Sequence, residues 1–344
     1  MTALQGAPLG ESAWACGSAR FAGRPAPSGG HGFDRAERER TALIVVTGGH
    51  GFSRAEKRLF FVIPSRSQPS LRGKSGEESA LKKRMNYSTI QIHHDSGIAT
   101  LTLNRPDKRN AISFELIDDL LRGLAEIDES PSQVLIVTGA GKAFCSGMDL
   151  ENLRQLTGRS PEQNREDSET MARLFRTVYD FPKPTIAAVN GAAIAGGTGL
   201  ATLCDFTLAV PDAKFGYTEV RIGFVPAIVS TFLLRQVGEK HARDLLLTGR
   251  LFDAEEAHRL GLVSALVAPE NLLLRARELG AQLMESSPTS LAFTKRLLSD
   301  HARSELDKQI AAAVRENAAI RNTPDFREGI ASFLEKRKPR WSTP

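Results

Sequence analysis

The run NGAAIAGGTGLATLCD (190–205) limits what this chain can become more than any other stretch. It continues an apolar segment, TIAAV (185–189), that reads as a buried strand. It then places Gly196 and Gly197 where a helix should begin. Glycine costs roughly 0.5–1 kcal/mol inside a helix, so a pair at a strand-to-helix junction implies that the backbone itself is needed there. Bare N–H groups at such a point are presented to something that must come close. A second stretch, FCSGMD (144–149), repeats the design: a buried strand, VLIVTG (134–139), then a glycine just ahead of a helix that Asp149 can cap. Both loops would leave unpaired N–H groups pointing outward, where the helix dipole favours negative charge. Two N–H groups converging on one oxygen would make an oxyanion hole. The blander alternative is two tight turns with glycine for close packing.

The remaining pattern is α/β. TIQIHH and IATLTL alternate around Asp95-Ser96-Gly97, a hairpin signal. Ser113 can cap a helix with Leu116, Ile117, Leu120, Leu121, Leu124 and Ile127 on one face. A helix is expected over 163–180, a short one after the Gly pair, and a strand at FTLAV. Apolar helical faces follow at 228–237, 241–248, 270–286 and 303–320. Strands alternating with helices, then a helical tail, predict one α/β domain over 85–344, with its core at about 85–270 and a helical region at about 270–344. Residues 1–84 look different. They hold an imperfect repeat, GGHGFDRAERER and GGHGFSRAEKR, and no sustained periodicity. The expectation there is a disordered extension or an over-long start rather than a folded domain.

Several chemistries are excluded by what is missing. GAAIAGGT has Gly197 where a phosphate loop needs lysine, so nucleotide hydrolysis is rejected. No G-x-S-x-G elbow, HExxH or CxxC occurs, and the seven histidines carry no triad or metal spacing, so no metal site is expected. His93, His94, His241, His258 and His301 read as solvent-facing. The net charge of +5 resides at one end: 1–84 carries +7 and 85–344 carries −2. That weakens a nucleic-acid reading of the body, because such affinity rests on neutralising phosphates. No apolar run reaches the ~18 residues of a membrane span. Three cysteines without a pairing framework fit a reducing, cytoplasmic setting. Glu219, in FGYTEVRIG, is the one carboxylate set between apolar and Gly-rich segments. Its alternative reading is an ion pair with Arg221 or a surface strand position.

The series LTLNRPDKRNAIS, GKAFCSGMDL, KPTIAAVNGAAIAGGTGLATLCDFTLA, AKFGYTEVRIGFVP, LLLTGRLFDAEEAHRLGLV and EGIASFLEKRKPRW resembles the crotonase superfamily of enoyl-CoA hydratases and isomerases, across most of 87–341. The resemblance implies a spiral of ββα turns with a C-terminal helical trimerisation region, and a homotrimer or dimer of trimers. It implies an acyl-CoA thioester substrate, with coenzyme A as part of the substrate and no other cofactor. The thioester oxygen would be held by the N–H groups of Met148 and Gly196, with Glu219 as the acid/base. Lys108, Ala111, Met148, Asp149, Leu150, Gly196 and Gly197 would border the substrate, and Lys336 or Lys338 could meet its phosphates. A second glutamate typical of hydratases is absent, since Gly199 occupies its position. Hydration, in fatty-acid or leucine breakdown (the latter through a similarity to methylglutaconyl-CoA hydratases), is the first expectation. Δ3,Δ2-enoyl-CoA isomerisation is the alternative, and a non-catalytic acyl-CoA or RNA-binding relative is a third.

Overall fold

A computed structural model describes residues 86–342. The expectations for 1–84 lie outside these residues. The first two strands, β1 (Ile90–Asp95) and β2 (Ile98–Leu103), form the expected antiparallel hairpin, with Ile90 opposite Leu103. Its turn residues Ser96 and Gly97 both have positive φ (49° and 81°), the conformation that joins two strands without splaying them. Helix α1 (Phe114–Glu129) begins where Ser113 accepts a hydrogen bond from the Leu116 N–H. It buries Leu116, Ile117, Leu120, Leu124 and Ile127.

From there the chain lays down strands in pairs. β3 (Val134–Gly139) extends the first sheet, and β4 (Ala143–Cys145) opens a second. Two helices follow, α2 (Leu150–Leu156) and α3 (Pro161–Tyr179). The next turn repeats the step with β5 (Thr185–Val189), β6 (Ala192–Ile194) and α4 (Gly196–Thr202). A third adds β7 (Phe206–Ala209), β8 (Lys214–Gly216) and α5 (Ala227–Thr248), which bends at Gly238. β9 (Leu251–Asp253), α6 (Ala254–Arg259) and β10 (Ala265–Leu266) complete the sheets. The larger sheet runs β1-β2-β3-β5-β7-β10 and the smaller β4-β6-β8-β9. β3, β5 and β7 advance in parallel in one sheet while β4, β6 and β8 advance in parallel in the other. This is the spiral of ββα turns.

Close backbone approach makes the spacing possible. A Cβ at Gly191 would lie 2.1 Å from the Lys142 carbonyl oxygen, and one at Gly197 would lie 2.3 Å from that of Cys145. The edge of β4 therefore passes directly over the turns at both ends of β6, and only glycine leaves room.

Helices α7 (Leu272–Met284), α8 (Pro288–Asp300), α9 (Arg303–Ile320) and α10 (Pro324–Leu334) form the C-terminal region. The expectation at 303–320 coincides with α9. Helices α8 and α10 lie in the expected helical region but outside its four named faces, and each opens on a capping hydroxyl followed by proline: Ser287-Pro288 and Thr323-Pro324. No helix among the described residues is long and apolar enough to cross a membrane.

A buried polar cluster ties α9 to α3. Arg321 Nη1 lies 2.6 Å from Asp167 Oδ2, Arg321 Nη2 donates to Asn317 Oδ1 at 2.7 Å, and Ser168 donates to the same oxygen at 2.8 Å. Removing one partner strands a buried charge, which costs more than the pair contributes. Arg321→Met should therefore lower the stability by about 3 kcal/mol or more, read as a fall in the urea midpoint, and Arg321→Lys should lose less.

Candidate active site

Three loops and one buried carboxylate meet around a cleft of about 1010 Å³. The first loop (104–112) leaves β2. Arg109 and Asn110 both adopt left-handed backbone (φ 51° and 54°), which asparagine tolerates better than most residues. The buried Asn110 side chain donates to the carbonyls of Ala140 and Ala143 and accepts from the Arg105 N–H. This turn aims Lys108 and Ala111 at the cleft.

The second loop carries Met148. Ile112 donates its N–H to the Gly147 carbonyl at 2.7 Å and accepts from the Asp149 N–H at 2.9 Å. In a parallel bridge of this kind successive peptide groups alternate in direction, so the Met148 N–H turns away from Ile112. Asp149 caps α2 by accepting from the Glu151 N–H, and its other oxygen pairs with Arg105 at 2.9 Å. Burial alone would raise the Asp149 carboxyl, but the Glu151 N–H and Arg105 hold it below its ordinary value.

The third loop carries Gly196, first residue of α4, whose N–H therefore has no acceptor within the helix. Ile112 covers it: a Cβ there would lie 3.0 Å from Ile112 Cδ1. Met148, Asp149, Leu150 and Gly196 border the cleft. Gly197 does not. It is buried against the Cys145 carbonyl, so the expectation that it touches substrate is corrected to a packing role. Lys336 borders the cleft and Lys338 does not.

Glu219 opens the short 3-10 turn Glu219–Ile222 and is only 9% exposed. The Arg221 ion pair weighed from sequence does not form. Its Oε2 is buried without any hydrogen-bond partner, and loss of hydration raises its pKa to about 7. The cleft it borders is lined in part by apolar side chains: Met171 and Phe175 from α3, Phe224 and Val225 after the turn, and Val229 from α5. A Cβ at Gly199 would lie 2.7 Å from Val229 Cγ1, so a side chain there would have to displace that methyl. Sequence reasoning did not find Arg105, Ile112, Phe175 or Val229. Their contributions come through tertiary contact, and no local signal marks them.

Other chemistries find little support. Burial pushes the thiols of Cys145 and Cys204 up to about 12, so neither is a ready nucleophile. His93, His94, His241, His258 and His301 are all exposed. Among the described residues no group of three or more His, Cys, Asp or Glu side chains could hold a metal ion.

The family model described as Enoyl-CoA hydratase/isomerase matches residues 93–344. A Thermus thermophilus protein that carries an enoyl-CoA hydratase name is 46% identical over 245 residues, covering 71% of this chain and 97% of its own length. The 1,2-epoxyphenylacetyl-CoA isomerase of Escherichia coli is 32% identical over 256 residues, covering 74% of this chain and 98% of its own. The crystal structure of an enoyl-CoA hydratase/isomerase from Xanthobacter autotrophicus Py2 superimposes with a TM-score of 0.69. It is 29% identical and covers 75% of this chain and all of that one.

The raised Glu219 pKa carries a stability consequence. Between the ordinary value near 4.5 and about 7 the folded chain binds a proton at Glu219 that the unfolded chain has lost. The associated stability is present below pH 4.5 and disappears as the pH rises through 7, an effect on the order of 3 kcal/mol. Urea melts at pH 5 and pH 8 should show the wild type losing this increment and Glu219→Gln keeping it.

Proposed function

The chain belongs to the enoyl-CoA hydratase/isomerase family, and from that premise we propose that it hydrates the 2,3 double bond of an acyl-CoA thioester with Glu219 as its single acid/base. The observation that carries this reading is Glu219 itself, a buried carboxylate with a free oxygen and a pKa near 7, in a cleft also bordered by Met148 and Gly196. In this scheme the thioester oxygen accepts from the Met148 and Gly196 N–H groups, which draws electrons from the double bond and makes Cβ electrophilic. Water adds at Cβ and gives its proton to Glu219. The resulting enolate is stabilised where its charge sits, and Glu219 returns the proton to Cα. A group titrating near 7 can do both, being half ionised at working pH. Coenzyme A arrives as part of the substrate. Lys108 at the cleft mouth and Lys336 on the facing segment are suited to its phosphates, and no further cofactor is needed.

One observation favours a second reading. Gly199 stands where another carboxylate could help to hold water, and a Cβ there would lie 2.7 Å from Val229 Cγ1. Double-bond isomerisation needs only one base to move a proton from Cα to Cγ, and Glu219 alone would serve. Incubation with crotonyl-CoA, 3-methylglutaconyl-CoA and a 3-enoyl-CoA, followed by product masses, separates the two. A gain of one water is expected, with Glu219→Gln slower by about 10²–10⁴-fold. A mass-neutral shift from 3-enoyl to 2-enoyl would replace hydration with isomerisation.

Assembly belongs to the same proposal. Phe293, Leu297 and Leu298 on α8 are 54%, 58% and 66% exposed, and Leu273 and Leu274 open α7 beside them in sequence. Such an apolar face on one subunit suits a second copy of the chain. Sedimentation should give a trimer or its dimer, and Leu298→Glu should shift the protein towards monomer.

A further inference from the structure

We propose that the methyl group of Ala195 is a positioning element, a spacer held under backbone strain that fixes the gap between the Met148 and Gly196 loops and so the direction of the Gly196 N–H. The inference rests on the thioester-binding reading above.

Between Asn190 and Asp205 the chain spends glycine at 191, 196, 197 and 199, yet none of these has positive φ. The one residue in the stretch that does is an alanine. Ala195 has φ 52° and ψ −120°, the conformation of the first central position in a type II′ turn, where glycine is ordinarily found. A residue with a Cβ persists there only where its surroundings over-determine it. The surroundings do so from three sides. The Ala195 N–H donates to the Gly216 carbonyl at 2.6 Å, and its carbonyl accepts from the Gly199 N–H at 3.1 Å. Its methyl faces Gly147, where an added Cβ would lie 3.3 Å from Ala195 Cβ and 3.1 Å from the Ile194 carbonyl oxygen.

The two loops thus touch at Ala195 and Gly147, and each contact residue immediately precedes one of the two N–H groups assigned to the thioester. Glycine at 195 would relieve the strain and widen the accessible backbone range. It would also remove the side-chain atom that faces Gly147 across the two loops. The Gly196 peptide plane could then tilt, and a tilted donor holds an enolate less well than a fixed one.

The test uses the full chain as wild type, Ala195→Gly and Ala195→Ser, which keeps the Cβ. Three measurements are needed: kcat and KM for crotonyl-CoA, the thermal midpoint, and the infrared carbonyl band of bound crotonyl-CoA, which moves to lower frequency as the thioester is polarised. Ala195→Gly is expected to lose about tenfold or more in kcat, with KM changed less than about threefold and no fall in the midpoint. Its carbonyl band should move back towards the free value, and Ala195→Ser should resemble the wild type in all three. An unchanged band in Ala195→Gly, or equal losses in both variants, would overturn the spacer role. If the wild type polarises the carbonyl but adds no water, the hydration reading fails while the band comparison still decides the role of Ala195. A wild type that leaves the band unshifted would overturn both.

Discussion

Everything at the cleft depends on one piece of strand-like backbone lying closer to its neighbours than side chains allow. The parallel bridge between Ile112 and Met148 fixes the second loop from one side, and the contact of Gly147 with Ile194 and Ala195 fixes it from the other. Gly197 and Gly191 let the strand itself sit against the turns around β6. Most of these contacts are made by backbone, which cannot change rotamer, and the side-chain atom that faces Gly147 is the Ala195 methyl, which has no rotamers either. The Met148 and Gly196 loops, far apart in sequence, are thereby held in a constant relationship.

Electrostatics divides the molecule along the same line. Charges that tie elements together are paired, as with Arg105 and Asp149 beside the second loop or Arg321 and Asp167 between α3 and α9. Glu219 is the exception, a carboxylate with its oxygen turned into apolar space and no cation to answer it. Desolvation raises its pKa and pairing would lower it, so the isolation of Glu219 is what brings an ordinary glutamate to titrate near neutral pH.

Much of this was legible in the sequence, and the parts that were not share a cause. The hairpin, α1, the strand-loop-helix repeats and α9 each had periodicity, turn residues or a cap to announce them. Helices α8 and α10 had their Ser-Pro and Thr-Pro openings. The large apolar residues of α8, Phe293, Leu297 and Leu298, are exposed, so it lacks the buried stripe by which a helix shows in sequence. The helix expected from 163 begins two residues sooner because Ser160 and Gln163 form a capping box. At the site, composition pointed to the glycine pair but could not assign the two members: Gly196 borders the cleft, whereas Gly197 serves β4. Nor does any local pattern reveal that Ala195 occupies a glycine conformation, or that Val229 fills the space beside Gly199. Those facts are set by strands and helices far along the chain.

The Val229 contact also bears on how sites of this kind can change over time. A carboxylate could enter at 199 by substitution of one glycine, but its first carbon would meet Val229 at 2.7 Å. The side chain at 229 would have to turn aside to admit it, and a β-branched valine has few rotamers open to it in a helix. Positions 199 and 229 are therefore coupled, so that a change at either is felt at the other.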